Sequence, residues 1–220
     1  DPKLKVELLR KDGDEVTIGD LGLIVSGPSA SILSAERLVL NCMQRMSGIA
    51  SLTHRLTQLI AHTKTRLMDT RKTTPNFRLM EKWAVHIGGG VNHRFALYDM
   101  VMLKDNHVDF AGGIRAAIER TKTYLLENNL SLKIEIETRN LQEVKEVIEV
   151  GGVDYIMLDN MDYEMMKTAV AMIDGRFSTE ASGGITEETL VEVANCGVDF
   201  ISMGALTHSV KSMDISLKAF

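Results

Sequence analysis

Residues 133–159 read KIEIETRNLQEVKEVIEVGGVDYIMLD and carry two unlike periodicities. Residues 133–137 alternate apolar and charged side chains, the pattern of a strand with two different faces. Leu141–Val150 spaces its apolar residues at helical intervals, and 155–159 returns to a short apolar run ending in a carboxylate. Strand, helix and strand with short links read as parallel strands joined by a right-handed crossover. The alternation continues in both directions. Strand-like runs occur at TRLMD (65–69), MVMLK (100–104), FSTEAS (177–182) and VDFISM (198–203), with helical stretches at Ala111–Asn128 and Glu187–Asn195. About six such units suit either a doubly wound sheet or a TIM-type barrel. No Gly-x-Gly-x-x-Gly follows the first strand, so the main signal of a dinucleotide fold is missing. The expected fold is α/β: a parallel (β/α) barrel, incomplete or open, over residues 65–208.

Outside that span the patterns change. LKVELL (4–9), EVTIG (15–19) and GLIVSG (22–27) read as three short strands separated by turn signals. Three such strands cannot form a stable sheet alone. Residues 1–30 are therefore expected to be the remnant of a small β-rich sandwich domain whose earlier portion is absent from this chain. Residues 31–64 read as connecting helices, entered after Pro28 and broken into two at Ser47-Gly48. Residues 209–220 are expected to return toward the N-terminal domain.

Composition narrows the function classes. The 220 residues are 45% hydrophobic, enough for one large core. A net charge of -5 argues against a nucleic-acid-binding surface. Cys42 and Cys196 lack metal-ligand spacing and read as reduced core thiols, which makes the cytoplasm the default location. There is no apolar run of about 18 residues, so nothing points to a membrane.

The unusual polar residues fall at one end of the expected strands. Asp69–His107 concentrates Arg71, Lys72, three glycines (88–90), His93, Arg94 and Lys104 in one short span. Arg71 and Lys72 follow the first strand of the series, Lys104 ends the second, Glu137 the third and Asp159 the fourth. Ser182-Gly183-Gly184 follows the fifth and Gly204 the sixth. In a parallel barrel all of these lie on the C-terminal rim, where active sites are built. Singly, each has a plain reading as a solvated turn or strand end. Glu137 is harder to dismiss, because alternation puts it on the face of Glu135, opposite the isoleucines, with both carboxylates aimed inward. Glu137 and Asp159 together suit a Mg²⁺ held partly by protein and partly by substrate phosphates. The SGG and MGA loops sit where such barrels bind phosphate through backbone N–H groups, with Ser182 adding a hydroxyl and His208 able to close over the site. The triple glycine reads as a helix end that turns His93 and Arg94 toward Arg71.

Seven stretches together give a family resemblance: AERLVLNCMQRMSGIA (35–50), DTRKTTP (69–75), GGGVNHR (88–94), LKDNH (103–107), IEIE (134–137), LDN (158–160) and EASGGI (180–185). In this order they resemble the quinolinate phosphoribosyltransferases, also called carboxylating nicotinate-nucleotide pyrophosphorylases. The likeness runs from Ala35–Arg37 to the SLK near the C-terminus.

The resemblance implies a pentosyltransferase of NAD biosynthesis. It would convert quinolinate and phosphoribosyl pyrophosphate, with Mg²⁺, to nicotinate mononucleotide, pyrophosphate and CO₂. Carried over by position, Arg71, His93 and Arg94 would grip the quinolinate carboxylates, with Lys104 at the junction of the two substrates. Lys72 would contact the donor. Glu137 and Asp159 would hold ribose hydroxyls and metal-bound pyrophosphate. Ser182, Gly183, Gly184, Gly204 and His208 would take the 5′-phosphate. Arg37 would reach the quinolinate of a neighbouring subunit, implying a homodimer or larger assembly. His86 takes no role. The family also implies a longer N-terminal segment, without which exposed strand edges and impaired activity are expected. Competing readings are a molybdenum-associated relative of the same fold, acting on another nucleotide-like substrate, and a truncated, non-catalytic phosphate-binding barrel.

Overall fold

A computed structural model describes residues 1–220. Six parallel strands form one sheet: β3 (Arg66–Met68), β4 (Met100–Leu103), β5 (Lys133–Thr138), β6 (Tyr155–Asp159), β7 (Ser178–Ser182) and β8 (Phe200–Ser202). Their spatial order is β3-β8-β7-β6-β5-β4, so β3 and β4 are the two edges and do not pair. The barrel is open, as the alternation of strands and helices implied. Chain from the triple-glycine region fills the opening. Val91 bridges Met68, its N–H donates to Leu67 O at 2.8 Å, and the Asp69 N–H donates back to Val91 O at 3.1 Å. On the other side Arg94 Nη1 donates to Met100 O at 3.1 Å. Residues 91–94 thus occupy the place of a closing strand.

Alternation along the strands sorts side chains into two shells. Ile134, Ile136, Ile156, Leu158, Ala181 and Ile201 face outward and are buried in a core shared with the helices. Those helices include α4 (Ile114–Glu127), α5 (Leu141–Val150), α6 (Tyr163–Ile173) and α7 (Glu187–Asn195). The other parity carries Glu135, Glu137, Asp159, Glu180 and Ser182. Registers Met102↔Glu135, Glu137↔Met157, Met157↔Glu180 and Asp159↔Ser182 place these residues in successive layers that end at the C-terminal rim.

Three local expectations need correction. Only β1 (Lys5–Leu8) and β2 (Leu23–Ser26) form the small antiparallel sheet, and EVTIG is not a strand. Its apolar residues gain no burial, with Ile18 fully exposed, so nothing rewards the extended form. The long helix α1 (Ser29–Leu59) runs unbroken through Ser47-Gly48. Gly48 serves close packing: a Cβ there would lie 2.4 Å from Lys211 O, where the C-terminal segment crosses the helix. That segment also pairs with Gln44, through Met213 N–H to Gln44 O at 2.9 Å and Gln44 Nε2 to Ile215 O at 2.7 Å. The stretch 111–128 is not one helix. Gly112 and Gly113, at φ of 92° and 120°, separate α3 (Asp105–Ala111) from α4, because left-handed backbone cannot continue a helix.

Candidate active site

The rim assembles in three groups. The first is the carboxylate pair. Lys104 Nζ donates to Glu137 Oε1 at 2.8 Å, and the Asp105 N–H donates to Oε2 at 3.3 Å. Asp159, one strand over, has its carboxyl pushed up by burial and by the Glu137 charge, against the pull of an Asn160 hydrogen bond and of Lys104.

The second group is the glycine loops. Asn160 N–H donates to Ser182 O at 2.9 Å, and Gly183 (φ 97°) lies so close that a Cβ would meet Asn160 Oδ1 at 2.2 Å. Glycine is required there on both counts. Gly204 lies against Lys72 and His208: a Cβ would stand 2.9 Å from His208 Nε2 and 3.1 Å from Lys72 Cδ. Thr207 Oγ1 donates to Lys72 O at 2.8 Å. Lys72, Gly204 and His208 thus share one corner, and Ser182, Gly183 and Asp159 another.

The third group is the arginine pair. Arg94 lies beside Arg71, and its guanidinium is held below its ordinary range first by burial and then by the Arg71 charge. The Nε atoms of both are buried without a hydrogen-bond partner. Two adjacent cations with unused buried donors are unfavourable unless an anion completes them.

The His93 ring is buried and points to two carboxylates within the protein. Nδ1 accepts the Arg94 N–H at 2.7 Å, while Nε2 lies 3.0 Å from Glu135 Oε2 and 3.3 Å from Glu180 Oε2. Burial depresses the imidazolium, whereas hydrogen bonds and charge from Glu135 and Glu180 favour it. The Arg94 N–H opposes a second proton at Nδ1, so the stable arrangement carries its proton on Nε2, between the carboxylates. Glu135 is pushed up to about 7 by burial and by Glu180.

Arg37, exposed on α1, is not brought to these groups by any contact within the chain. His86 is exposed in the last turn of α2 (Arg78–Ile87). The three glycines end α2, and Gly88 and Gly90 also let it lie against α1: a Cβ on Gly88 would meet Ala50 O at 2.4 Å.

Sequence reasoning missed several supports. Glu180 shares the inward parity of Ser182, and the period of two along STEAS could have found it. Asp69, Glu81 and Lys82 are buried charges for which no linear signal exists. Glu81 accepts from Arg45 Nη2 at 2.8 Å, from Thr74 Oγ1 at 2.8 Å and from Thr74 N–H at 3.0 Å, holding the turn after Lys72.

An open parallel barrel whose rim joins paired cations, paired carboxylates and two glycine loops defines a protein built to hold polyanions. Comparison with known families narrows this: the model of the quinolinate phosphoribosyl transferase C-terminal domain matches residues 49–218, and that of the N-terminal domain matches 2–47. The chain belongs to the quinolinate phosphoribosyltransferase family. It is 52% identical to a chloroplastic nicotinate-nucleotide pyrophosphorylase [carboxylating] of Arabidopsis thaliana over 99% of this chain and 66% of that protein. The chain therefore spans just under two thirds of that relative. A probable nicotinate-nucleotide pyrophosphorylase [carboxylating] of Bacillus subtilis is 42% identical over 99% of this chain and 74% of its own length. The crystal structure of NadC from Streptococcus pyogenes superposes with a TM-score of 0.93 at 42% identity, covering 100% of this chain and 76% of that one. No helix is long and apolar enough to cross a membrane.

Proposed function

We propose that this chain catalyses phosphoribosyl transfer to quinolinate with loss of CO₂, the reaction that gives nicotinate mononucleotide and pyrophosphate. The observation that carries the reading is the Arg71–Arg94 pair, whose Nε donors are buried and unpartnered and so suited to a dianion. A pyridine dicarboxylate matches the charge of this pair, with Lys104 proposed to face the donor. The family membership and the names of the relatives support the same substrates.

The chemistry follows from charge. The pyridine nitrogen attacks the anomeric carbon of the donor as the C–O bond to pyrophosphate breaks. Glu137 and Asp159 stabilise the positive charge that develops on the ribose, and Lys72, Gly204, His208 and the Ser182–Gly184 loop hold the 5′-phosphate. The product ring nitrogen is cationic. Its positive charge stabilises the electron pair left on the adjacent carbon when the carboxylate departs as CO₂, and a proton then bonds to that pair on the same carbon. Fixed cations favour both steps without a covalent intermediate.

The carboxylate set fits a hard divalent cation. Asp159 is raised partly by the Glu137 charge, a repulsion that a dication would relieve. Glu137 and Asp159 would hold Mg²⁺, which supplies charge neutralisation to the departing pyrophosphate. Arg37 is proposed to complete the quinolinate site of a second copy in a homodimer. The free thiols of Cys42 and Cys196 fit a reducing compartment, and the cytoplasm is our proposal. The test is release of labelled CO₂ from quinolinate with and without phosphoribosyl pyrophosphate. Donor-dependent release is expected; donor-independent release or none refutes the reading.

A further inference from the structure

Helix α2 carries Glu81 and Lys82 side by side, both buried, and sends each charge to a different part of the rim. Glu81 holds the turn after Lys72. Lys82 forms a buried ion pair with Asp69 at the end of β3, and its Nζ also donates to His93 O at 2.8 Å. Asp69 Oδ1 accepts the His93 N–H at 2.8 Å. The neighbouring Asn92 amide, in the orientation that satisfies both its ends, donates to Asp69 Oδ2 and Lys82 O, each at 2.8 Å. One ion pair therefore clamps the backbone N–H and C=O of a single residue, in the segment that fills the β3–β4 opening. From the other side, Glu135 and Glu180 face the His93 ring, and the ring accepts the Arg94 N–H.

We propose that Asp69 and Lys82 are positioning residues for the dicarboxylate subsite, acting through the His93 backbone to set Arg94 beside Arg71. The inference rests on the functional reading above and adds residues that do not themselves touch substrate. The need is physical. Residues 91–94 have one backbone bridge to β3 and no strand pairing to β4, so ladder hydrogen bonds alone do not locate them. Two like-charged guanidiniums also repel, so holding them side by side needs a fixed backbone at residues 91–94. A buried ion pair that also satisfies two backbone groups and an amide specifies a position more sharply than apolar packing does. No hydrogen bond of the clamp goes to Lys72, Gly204 or His208, so the larger effect is expected on quinolinate.

Lys82→Met alone leaves Asp69 buried and unpaired and can fail to fold. The decisive variant is therefore the double replacement Asp69→Leu/Lys82→Met, which exchanges the pair for apolar side chains of similar bulk and keeps the core filled. Two readouts are taken on wild type and variant: amide exchange across residues 91–94, and calorimetric affinity for quinolinate and for phosphoribosyl pyrophosphate separately. The expected result is a cooperative melting curve, lost protection at residues 91–94, and quinolinate affinity down about tenfold to a hundredfold. Donor affinity stays within about twofold. Unchanged protection, or equal loss for both substrates, overturns the proposal. If wild type binds no quinolinate, the functional reading falls instead, and the exchange readout alone decides whether Asp69 and Lys82 position the segment.

Discussion

Lys104 and Glu137 face each other across adjacent parallel strands, Nζ to Oε1 at 2.8 Å, toward the C-terminal end of the sheet. Each is placed there by strand register, since Leu103 is paired with Ile136 and both chains continue outward by one residue. On the proposed reading, the pair would join the quinolinate side of the rim to the donor side. Glu137→Gln removes the charge proposed to face the developing cation on the ribose. It is expected to lower kcat on the order of 100-fold, the usual scale for loss of one electrostatic stabiliser. Steady-state turnover checks this, and a change confined to KM would contradict the assignment.

Arg71→Ala removes one half of the guanidinium pair. Truncating one partner of a desolvated charge pair costs about 2–5 kcal/mol. Quinolinate binding should weaken by that amount, with donor binding nearly unchanged. Titration calorimetry with each substrate separates the two, and equal losses would argue against the site.

Glu135 supplies a pH signature of stability. Its carboxyl is raised in the fold from 4.5 to about 7, so the native state holds a proton that the unfolded state releases. A raised carboxyl contributes most below 4.5, and that contribution falls as pH rises through the interval to about 7. At 1.36 kcal/mol per pH unit the loss is about 3 kcal/mol. Urea denaturation from pH 4 to 8 should show this fall in wild type relative to Glu135→Gln, which has no proton to lose there. Parallel curves would show that the cluster does not hold the proton at Glu135.

Gly183→Ala tests the phosphate loop. The left-handed backbone there disfavours any Cβ by about 1–2 kcal/mol, and the added carbon would also collide with Asn160. The variant should melt earlier and bind inorganic phosphate and the donor more weakly, while keeping its affinity for quinolinate. Thermal melts and phosphate titration provide the check. A loop that keeps its phosphate affinity with alanine at 183 would not be the 5′-phosphate site.

Magnesium dependence is expected to require both rim carboxylates. In wild type a chelator should abolish turnover and added Mg²⁺ restore it, whereas Asp159→Asn should need far more Mg²⁺ for half-maximal rate. A metal-independent rate would remove Glu137 and Asp159 from a metal role.

Much of this architecture is local in origin and so was readable along the chain. The period of two in KIEIE and the period near 3.6 in Leu141–Val150 reflect burial on one face of a strand and one stripe of a helix. Strand ends are local as well, and that is why Lys104, Glu137, Asp159 and the SGG loop could be aligned on one rim. Other features depend on which distant segments meet. Ser47-Gly48 carries a breaker signal, yet α1 is continuous because that glycine makes room for the backbone at Lys211. The strand signal of EVTIG failed because no partner buries it. His93 and Arg94 were legible as candidates, but not the inward turn of the His93 ring onto Glu135 and Glu180. Nor could the sequence show that Asp69 and Lys82, thirteen residues apart, would close on the His93 backbone. Periodicity and strand-end chemistry are properties of neighbours in sequence, whereas the pairing of buried charges is set only when the barrel brings its strands together and excludes water from between them.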